Sequence, residues 1–405
     1  MKRVPDDGLQ SGLAAVQSAV EDGVVGFLQV DRRDTPSRRY LTRCLGPDRE
    51  TAVVVLPATA DRPAQAIYCV PTDSTAAVES FADVEDGLDR RVVGRPPSTA
   101  TGQHVCEILA NRLGEGAGRG RLLVPRDLPH DTAVFLQQAG YELQSTAVVR
   151  TARATKTPSE RDCLTAVQQA AVGGMAHAEA VLASSATTDD GLTVEGRALS
   201  AERLRRAINA ELTAHGVSPA ANTRIETTTG TEADGLLIGE PICIQLAPQG
   251  PNGYHGQLTR TLAVDSEGGW ERRAHVAVEA GLRAAARHIK PGVDISTVEG
   301  ETVAEIGAYG FPVGQSADDD TETRTTATVH GVGLSTYERP TPESERTLQE
   351  GMVVAVEAGV VDPTHGAIRL STLRAVTEEG SRRLVPSASS LTPTDRRADS
   401  DSSDG

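Results

Sequence analysis

Lysine is nearly missing from this chain, with three residues (Lys2, Lys156, Lys290) in 405. Arginine supplies the rest of 40 basic side chains, set against 56 Asp and Glu, and the formal net charge is −16. So acidic a balance argues against nucleic-acid binding, which needs a basic footprint. Aromatic residues are scarce too, at 3%. Scarce Lys, few aromatics and abundant Asp/Glu together suggest a halophilic composition, because salt near 1 M shortens the reach of surface repulsion to about 3 Å. No apolar run approaches the roughly 20 residues that span a bilayer, and Met1-Lys2-Arg3 is not followed by an apolar signal core. The expectation is a cytoplasmic protein with no membrane partner. The five cysteines (Cys44, Cys69, Cys106, Cys163, Cys243) are scattered and never spaced as CxxC, which disfavours both a disulfide framework and a zinc cluster.

What is present predicts about two domains and a tail. Residues 1–150 mix helical and strand signals: helical spacing over Gly8–Glu21, then short apolar strands at 23–30, 52–56, 66–70, 121–125 and 145–149, with a helix near 132–140. This suits a small α/β domain. Lys156-Thr157-Pro158-Ser159-Glu160 opens a helix to about Ala183, with Pro in its first turn. A second helix runs from Ser200 as N-cap to the stop at Gly216. Strands follow over 223–265, helices over 270–309 and strands again to Val385. Residues 386–405 are Ser/Asp/Thr-rich and are expected to form a disordered acidic tail.

Three segments of the C-terminal half carry a pattern: Gly253-Tyr254-His255-Gly256-Gln257-Leu258-Thr259-Arg260-Thr261, His330-Gly331-Val332-Gly333-Leu334, and Gly351-Met352-Val353-Val354-Ala355-Val356-Glu357-Ala358-Gly359. In order and spacing they resemble the pita-bread metallopeptidases: aminopeptidase P, prolidase, methionine aminopeptidase and the metal-free relative creatinase. The resemblance implies an α/β N-terminal creatinase-type domain, hinted at by Arg39-Tyr40-Leu41-Thr42-Arg43-Cys44-Leu45-Gly46-Pro47, over residues 1–150. It implies an α+β pita-bread domain over 151–385. It also implies five metal-ligand positions, two Asp, one His and two Glu in the family, which here read Gln245, Gln257, His330, Glu357 and Ser371. Only His330 and Glu357 keep a ligand's identity. Further implied cleft positions are Tyr337, where the family has His, Glu338, and Arg369 of the last signature. The loop 230–237 lacks the family's His, and Thr326 replaces another.

Four carboxylates in the family offset the charge of two divalent ions, and hard cations want such charged oxygens. Here one carboxylate remains, so no dinuclear centre and no metal cofactor is expected; an active form would use Mn2+ or Co2+. Twelve residues separate Gln245 from Gln257, a hairpin spacing that brings same-face side chains together. His330 reads equally as a satisfied core histidine, and Glu357 as a buried carboxylate paired with Arg369 or His330. His255, two residues before Gln257 and so on its face, reads as a stray ligand or, in preference, a solvent-facing turn residue. Gly331-Val332-Gly333 reads as a turn rather than a phosphate cradle, since no P-loop lysine follows.

The expected function is that of an Xaa-Pro peptidase homologue without metal or activity, a pseudoenzyme acting as a binding or regulatory protein. One alternative is a working Xaa-Pro aminopeptidase or dipeptidase with an atypical site. Another is a creatinase-like metal-free hydrolase using His and Glu as general acid and base. A peptide or small-molecule ligand fits each, and the resemblance implies a homo-oligomeric dimer or a heterodimer with an active paralogue.

Overall fold

A computed structural model describes residues 23–43, 47–58, 63–82, 88–113, 120–228, 235–313, 323–344 and 347–394, together with 12, 14–16, 18 and 19. Most of the helix expected over Gly8–Glu21, Cys44 in the hinted N-terminal motif, and the loop positions 230–234 lie outside the described residues. Contacts divide the chain into two units, one of 1–153 with 157–160, the other of 154–156 with 161–405.

The first unit is built on six strands: β1 (Val24–Asp31), β2 (Thr51–Leu56), β3 (Gln65–Pro71), β4 (Asp89–Arg95), β5 (Arg121–Val124) and β6 (Glu142–Ser145). They form one mixed sheet in the order β4-β3-β2-β1-β5-β6. Its helices are α1 (Pro36–Thr42), α2 (Thr101–Leu113), α3 (His130–Gln138) and α4 (Val148–Ala152). Buried Leu28, Val54, Ile67 and Leu122 of the sheet pack with Val105, Leu109 and Leu136 of α2 and α3. The strand expected at 145–149 is instead the end of β6 and the start of α4. Charged Asp89, Arg90 and Arg91 hide β4 from an apolar-run reading, yet it is an edge strand and needs no apolar outer face.

In the second unit, α5 (Pro158–Ala183) precedes a small three-stranded sheet of β7 (Ala186–Thr188), β8 (Gly191–Val194) and β9 (Arg197–Ala198), then α6 (Ala201–Ala214). Ser200 Oγ accepts from Arg203 N–H at the start of α6, and Gly216 beyond its end has φ 75, as its N-cap and stop signals require. Strands β10 (Thr223–Glu226), β11 (Ile242–Leu246) and β12 (Leu258–Leu262) form an antiparallel sheet. Helices α7 (Trp270–His288) and α8 (Ile295–Gly307) lead to a second antiparallel sheet of β13 (Arg324–Gly331), β14 (Val353–Asp362), β15 (Gly366–Thr377) and β16 (Gly380–Arg383). No helix among the described residues is long and apolar enough to cross a membrane.

The β10–β12 and β13–β16 sheets each bury one face under a helix pair. Ile242, Ile244, Leu246, Leu258 and Leu262 pack with Val167, Ala171, Leu204 and Ile208 of α5 and α6. Val354, Val356, Ala358, Ile368 and Leu370 pack with Ala274, Val278, Leu282 and Val298 of α7 and α8. Because side chains alternate along a strand, every intervening residue faces away from the helices. β12 and β15 meet through Thr261 Oγ1, which donates to Arg369 O and accepts from Arg369 N–H.

Residues 386–394 depart from the tail that their composition suggests. Arg260 is 3% exposed, and burial, with Arg383 nearby, lowers its pKa to about 10. Its guanidinium donates to the carbonyls of Thr259, Ser371 and Ala388 and to Ser387 Oγ. Ala263 N–H donates to Leu391 O, and Leu391 packs against the core. A buried guanidinium needs acceptors, and this segment supplies two of them, which composition cannot reveal. Residues 395–405 lie outside the described residues. Arg260→Leu would leave buried carbonyls without donors but would also remove a buried charge whose desolvation is costly, so the two effects partly offset. Urea unfolding should show a loss on the order of 2 kcal/mol. A chain ended after Val385 should lose a similar amount, and the double variant less than the sum.

Candidate functional site

The helix-averted faces of the two antiparallel sheets carry the polar residues singled out from sequence. Gln245 pairs with Thr259 in the β11–β12 register, and Gln257 lies immediately before β12, diagonal to Gln245. Glu357 of β14 pairs with Ser371 of β15, while His330 of β13 pairs with Ala355, one same-face position from Glu357. Gln245, Gln257, His330 and Glu357 line one cavity of about 240 Å³ with Asn222, Arg224, Thr259, Thr336 and Tyr337.

Ser371 is not in that lining. It is 1% exposed, and its Oγ accepts from Thr259 N–H at 2.7 Å. The hydroxyl is thus used to tie β12 to β15. Thr259 Oγ1 in turn donates to Glu357 Oε2 at 2.9 Å. Glu357 has no ion-pair partner among the described residues, because Arg369 reaches Glu226 instead, at 2.7 Å. Of the two pairings open to Glu357 on sequence, neither forms. Burial raises its pKa above the ordinary 4.5, against lowering by the Thr259 hydrogen bond and Arg369.

His330 is 7% exposed. Its Nδ1 lies 3.1 Å from Gly331 O, and since a carbonyl only accepts, Nδ1 carries the proton. Burial lowers its pKa, which keeps the ring neutral with Nε2 as an acceptor. Gln257 Nε2, 3.4 Å away, donates to it. That contact fixes the carboxamide and leaves Gln257 Oε1 buried with no hydrogen-bond partner. The Gln257 main chain is clasped from both sides by Gln168 of α5, whose amide donates to Gln257 O at 3.0 Å and accepts from Gln257 N–H at 2.8 Å.

The remaining expected cleft residues divide. Tyr337 lines the cavity, its ring tilted on His330 with centroids 4.6 Å apart. Its hydroxyl donates to Glu343, and its pKa is raised by burial and by that carboxylate. Glu338 and Arg369 are not among the lining residues. The Glu338 carboxylate is buried against Lys156 Nζ at 2.7 Å, and Arg369 is taken by Glu226. His255, read from sequence as solvent-facing, is 8% exposed. Its Nε2 lies 3.0 Å from Gln249 Nε2 and its main-chain N–H donates to Gly333 O, so it braces a turn. Gly331 and Gly333 do serve a turn: a Cβ on either would collide with the segment Glu338–Arg339. Asn222 and Arg224 were not picked out from sequence; only the β10–β11 pairing of Arg224 with Gln245 places them here. Among the described residues no three His, Cys, Asp or Glu side chains gather as metal ligands would. Cys69, Cys106, Cys163 and Cys243 form no disulfide among the described residues.

Residues 142–378 match the model of metallopeptidase family M24. The chain belongs to that family. Among curated relatives, the Xaa-Pro dipeptidase of Pyrococcus furiosus is 28% identical over 213 residues, covering 51% of this chain and 58% of the dipeptidase. The Pyrococcus horikoshii Xaa-Pro dipeptidase is 27% identical over 213 residues, 51% of this chain and 57% of its own. The matched stretch therefore spans little over half the length of these relatives. Among solved structures, an Xaa-Pro dipeptidase from Bacillus anthracis superposes with TM-score 0.72 at 20% identity, covering 95% of this chain and 99% of that one. The prolidase from Pyrococcus horikoshii gives TM-score 0.70 at 18% identity, over 95% and 100%. This M24 chain thus has the pita-bread fold behind an α/β N-terminal domain.

The raised pKa of Glu357 carries a sign. The native state holds this proton more tightly than the unfolded chain. Its contribution to stability is therefore present at low pH and is lost as pH rises through the range above 4.5. In low-salt buffer Glu357→Gln, which keeps an oxygen for Thr259, should raise Tm at pH 7.5. Differential scanning calorimetry should show that gain shrinking as pH falls through the carboxylate range.

Proposed function

We propose that this M24 chain is a homologue of the Xaa-Pro peptidases that has lost dinuclear metal binding and peptidase activity, and that it acts as a non-catalytic binding or regulatory protein. The observation that carries this reading is the donor set of the cavity. Two divalent ions would need charged oxygens to offset them. The five family positions offer one carboxylate, one imidazole, two carboxamides and a hydroxyl, and Ser371 Oγ already accepts from Thr259 N–H. These residues do not fit a pair of divalent ions. A metal-bound hydroxide, which needs such ions to bring its pKa to about 7, has no place in this cleft on that reading. General acid–base chemistry without metal has little support either. His330 Nε2 is engaged by Gln257 and Glu357 by Thr259. The cleft would instead hold a peptide or small molecule without cleaving it. Self-association, or pairing with an active paralogue, belongs to the same proposal.

Metal analysis of chain purified with excess Mn2+ or Co2+ tests the reading, together with assays on Xaa-Pro dipeptides and longer Xaa-Pro peptides. The expected result is substoichiometric metal and no turnover. Two tightly held ions per chain, or metal-dependent cleavage, would overturn it. The combined variant Gln245→Asp, Gln257→Asp, Ser371→Glu restores the carboxylates and should gain divalent metal binding. Its Ser371 change also removes a buried hydrogen bond, at about 1 kcal/mol or more, so lowered stability should accompany the gain.

A further inference from the structure

We infer that the cavity between β10–β12 and β13–β14 is a binding site for one monovalent cation, either an alkali ion or the ammonium group of a small amine. The inference deepens the proposed function and rests on the reading that no divalent pair occupies this cleft.

Three observations carry it. First, Gln257 Oε1 is buried and without a partner. It cannot be relieved by turning the carboxamide over, because the Nε2 edge is required by the unprotonated Nε2 of His330. Buried acceptors are rarely left unmet, and one held in place beside a cavity calls for a donor or a cation. Second, Glu357 presents a carboxylate to the same cavity with one hydroxyl bonded to it and no Lys, Arg or His ion pair among the described residues. Glu357 is half-buried, and the charge that acts on it from outside the cavity is that of Arg369, which is itself paired with Glu226. A carboxylate so withdrawn from solvent favours a cation beside it. Third, the other amides in the lining add neutral carbonyl oxygen. Asn222 Nδ2 is committed to Ala247 O, so its Oδ1 is the edge left over, and Gln245 faces the same space on the neighbouring strand.

One carboxylate with two or three carboxamide oxygens is a poor match for divalent ions and a good one for a singly charged cation. The single negative charge is balanced, and neutral carbonyls stand in for the hydration shell, as carbonyl oxygens do in potassium-selective filters. Ammonium has the same charge and donates hydrogen bonds to the same oxygens. Arg224 also lines the cavity but is exposed, where solvent screens its charge. Substitution of carboxylate by carboxamide at 245 and 257 then retunes the cleft from double to single charge rather than merely emptying it.

Thermal unfolding of the full chain tests this at constant ionic strength and chloride, replacing choline chloride stepwise with KCl, NaCl, NH4Cl or methylammonium chloride. A saturable rise in Tm of about 3 °C or more is expected for at least one small cation, because a ligand of the native state stabilises by mass action. Stabilisation strongest with ammonium and methylammonium would assign the site to an amine, and strongest with K+ or Na+ to an alkali ion. Glu357→Gln and Gln257→Met should each remove the cation dependence. Anomalous diffraction from wild-type crystals soaked in thallium(I), a potassium stand-in, should place one peak beside Gln257 Oε1 and Glu357, independently of how the variants fold. Equal Tm in all salts and no peak in the cavity would overturn the inference while leaving the proposed function intact. Two Mn2+ per chain would overturn the function reading itself.

Discussion

A two-residue period running through β11, β12, β14 and β15 is the constraint on which the second unit depends. One parity, including Ile242, Ile244, Leu258, Val354, Val356, Ala358, Ile368 and Leu370, is buried under helices. The other parity puts Gln245, Thr259, Glu357 and Ser371 on the opposite faces. The apolar set holds the sheets against α5–α8, and each Val, Leu or Ile side chain in it contributes about 1.5–3 kcal/mol when fully buried. Register cannot slip without exchanging the two sets. The cleft's polar residues are therefore held in place by the packing of their neighbours, whether or not they perform chemistry. A fold of this kind can lose its ligands and keep its shape.

Within that frame the polar face has been rewired. At two positions where the resemblance implies carboxylates, Ser371 bonds to a main-chain N–H and Gln257 donates to His330. Both of these replacements find a partner inside the protein, which lessens the need for a metal to satisfy them. Gln257 Oε1 and the carboxylate of Glu357 are the exceptions, and they share one cavity. Lys156, one of three lysines in the chain, is spent on the buried Glu338, so it supplies no charge to that cavity.

The family resemblance was legible from three short motifs because they occupy fixed positions on strands, and the helix boundaries at Pro158, Ser200 and Gly216 followed from capping chemistry. Misreadings cluster where local composition hides a tertiary partner. His255 looks like a turn residue until Gln249 and Gly333 close on it. Residues 386–394 look disordered until Arg260 needs their carbonyls. Arg369 and Glu338 look like cleft residues until Glu226 and Lys156 are seen to hold them.

Which residue types stand at the five family positions is a matter of sequence alone, and so is the loss of charged oxygen, since Gln and Ser cannot become carboxylates in any fold. Hairpin spacing, also visible in the sequence, brought Gln245 and Gln257 together on one face. What the tertiary structure decided is how each side chain is used. Only the pairing of strands distant in sequence shows that Ser371 is consumed by Thr259, that His330 fixes the carboxamide of Gln257, and that Arg224 and Asn222 join the cavity. Hydrogen-bond partners 73 and 112 residues apart are set by sheet register and helix packing, and no local pattern encodes them.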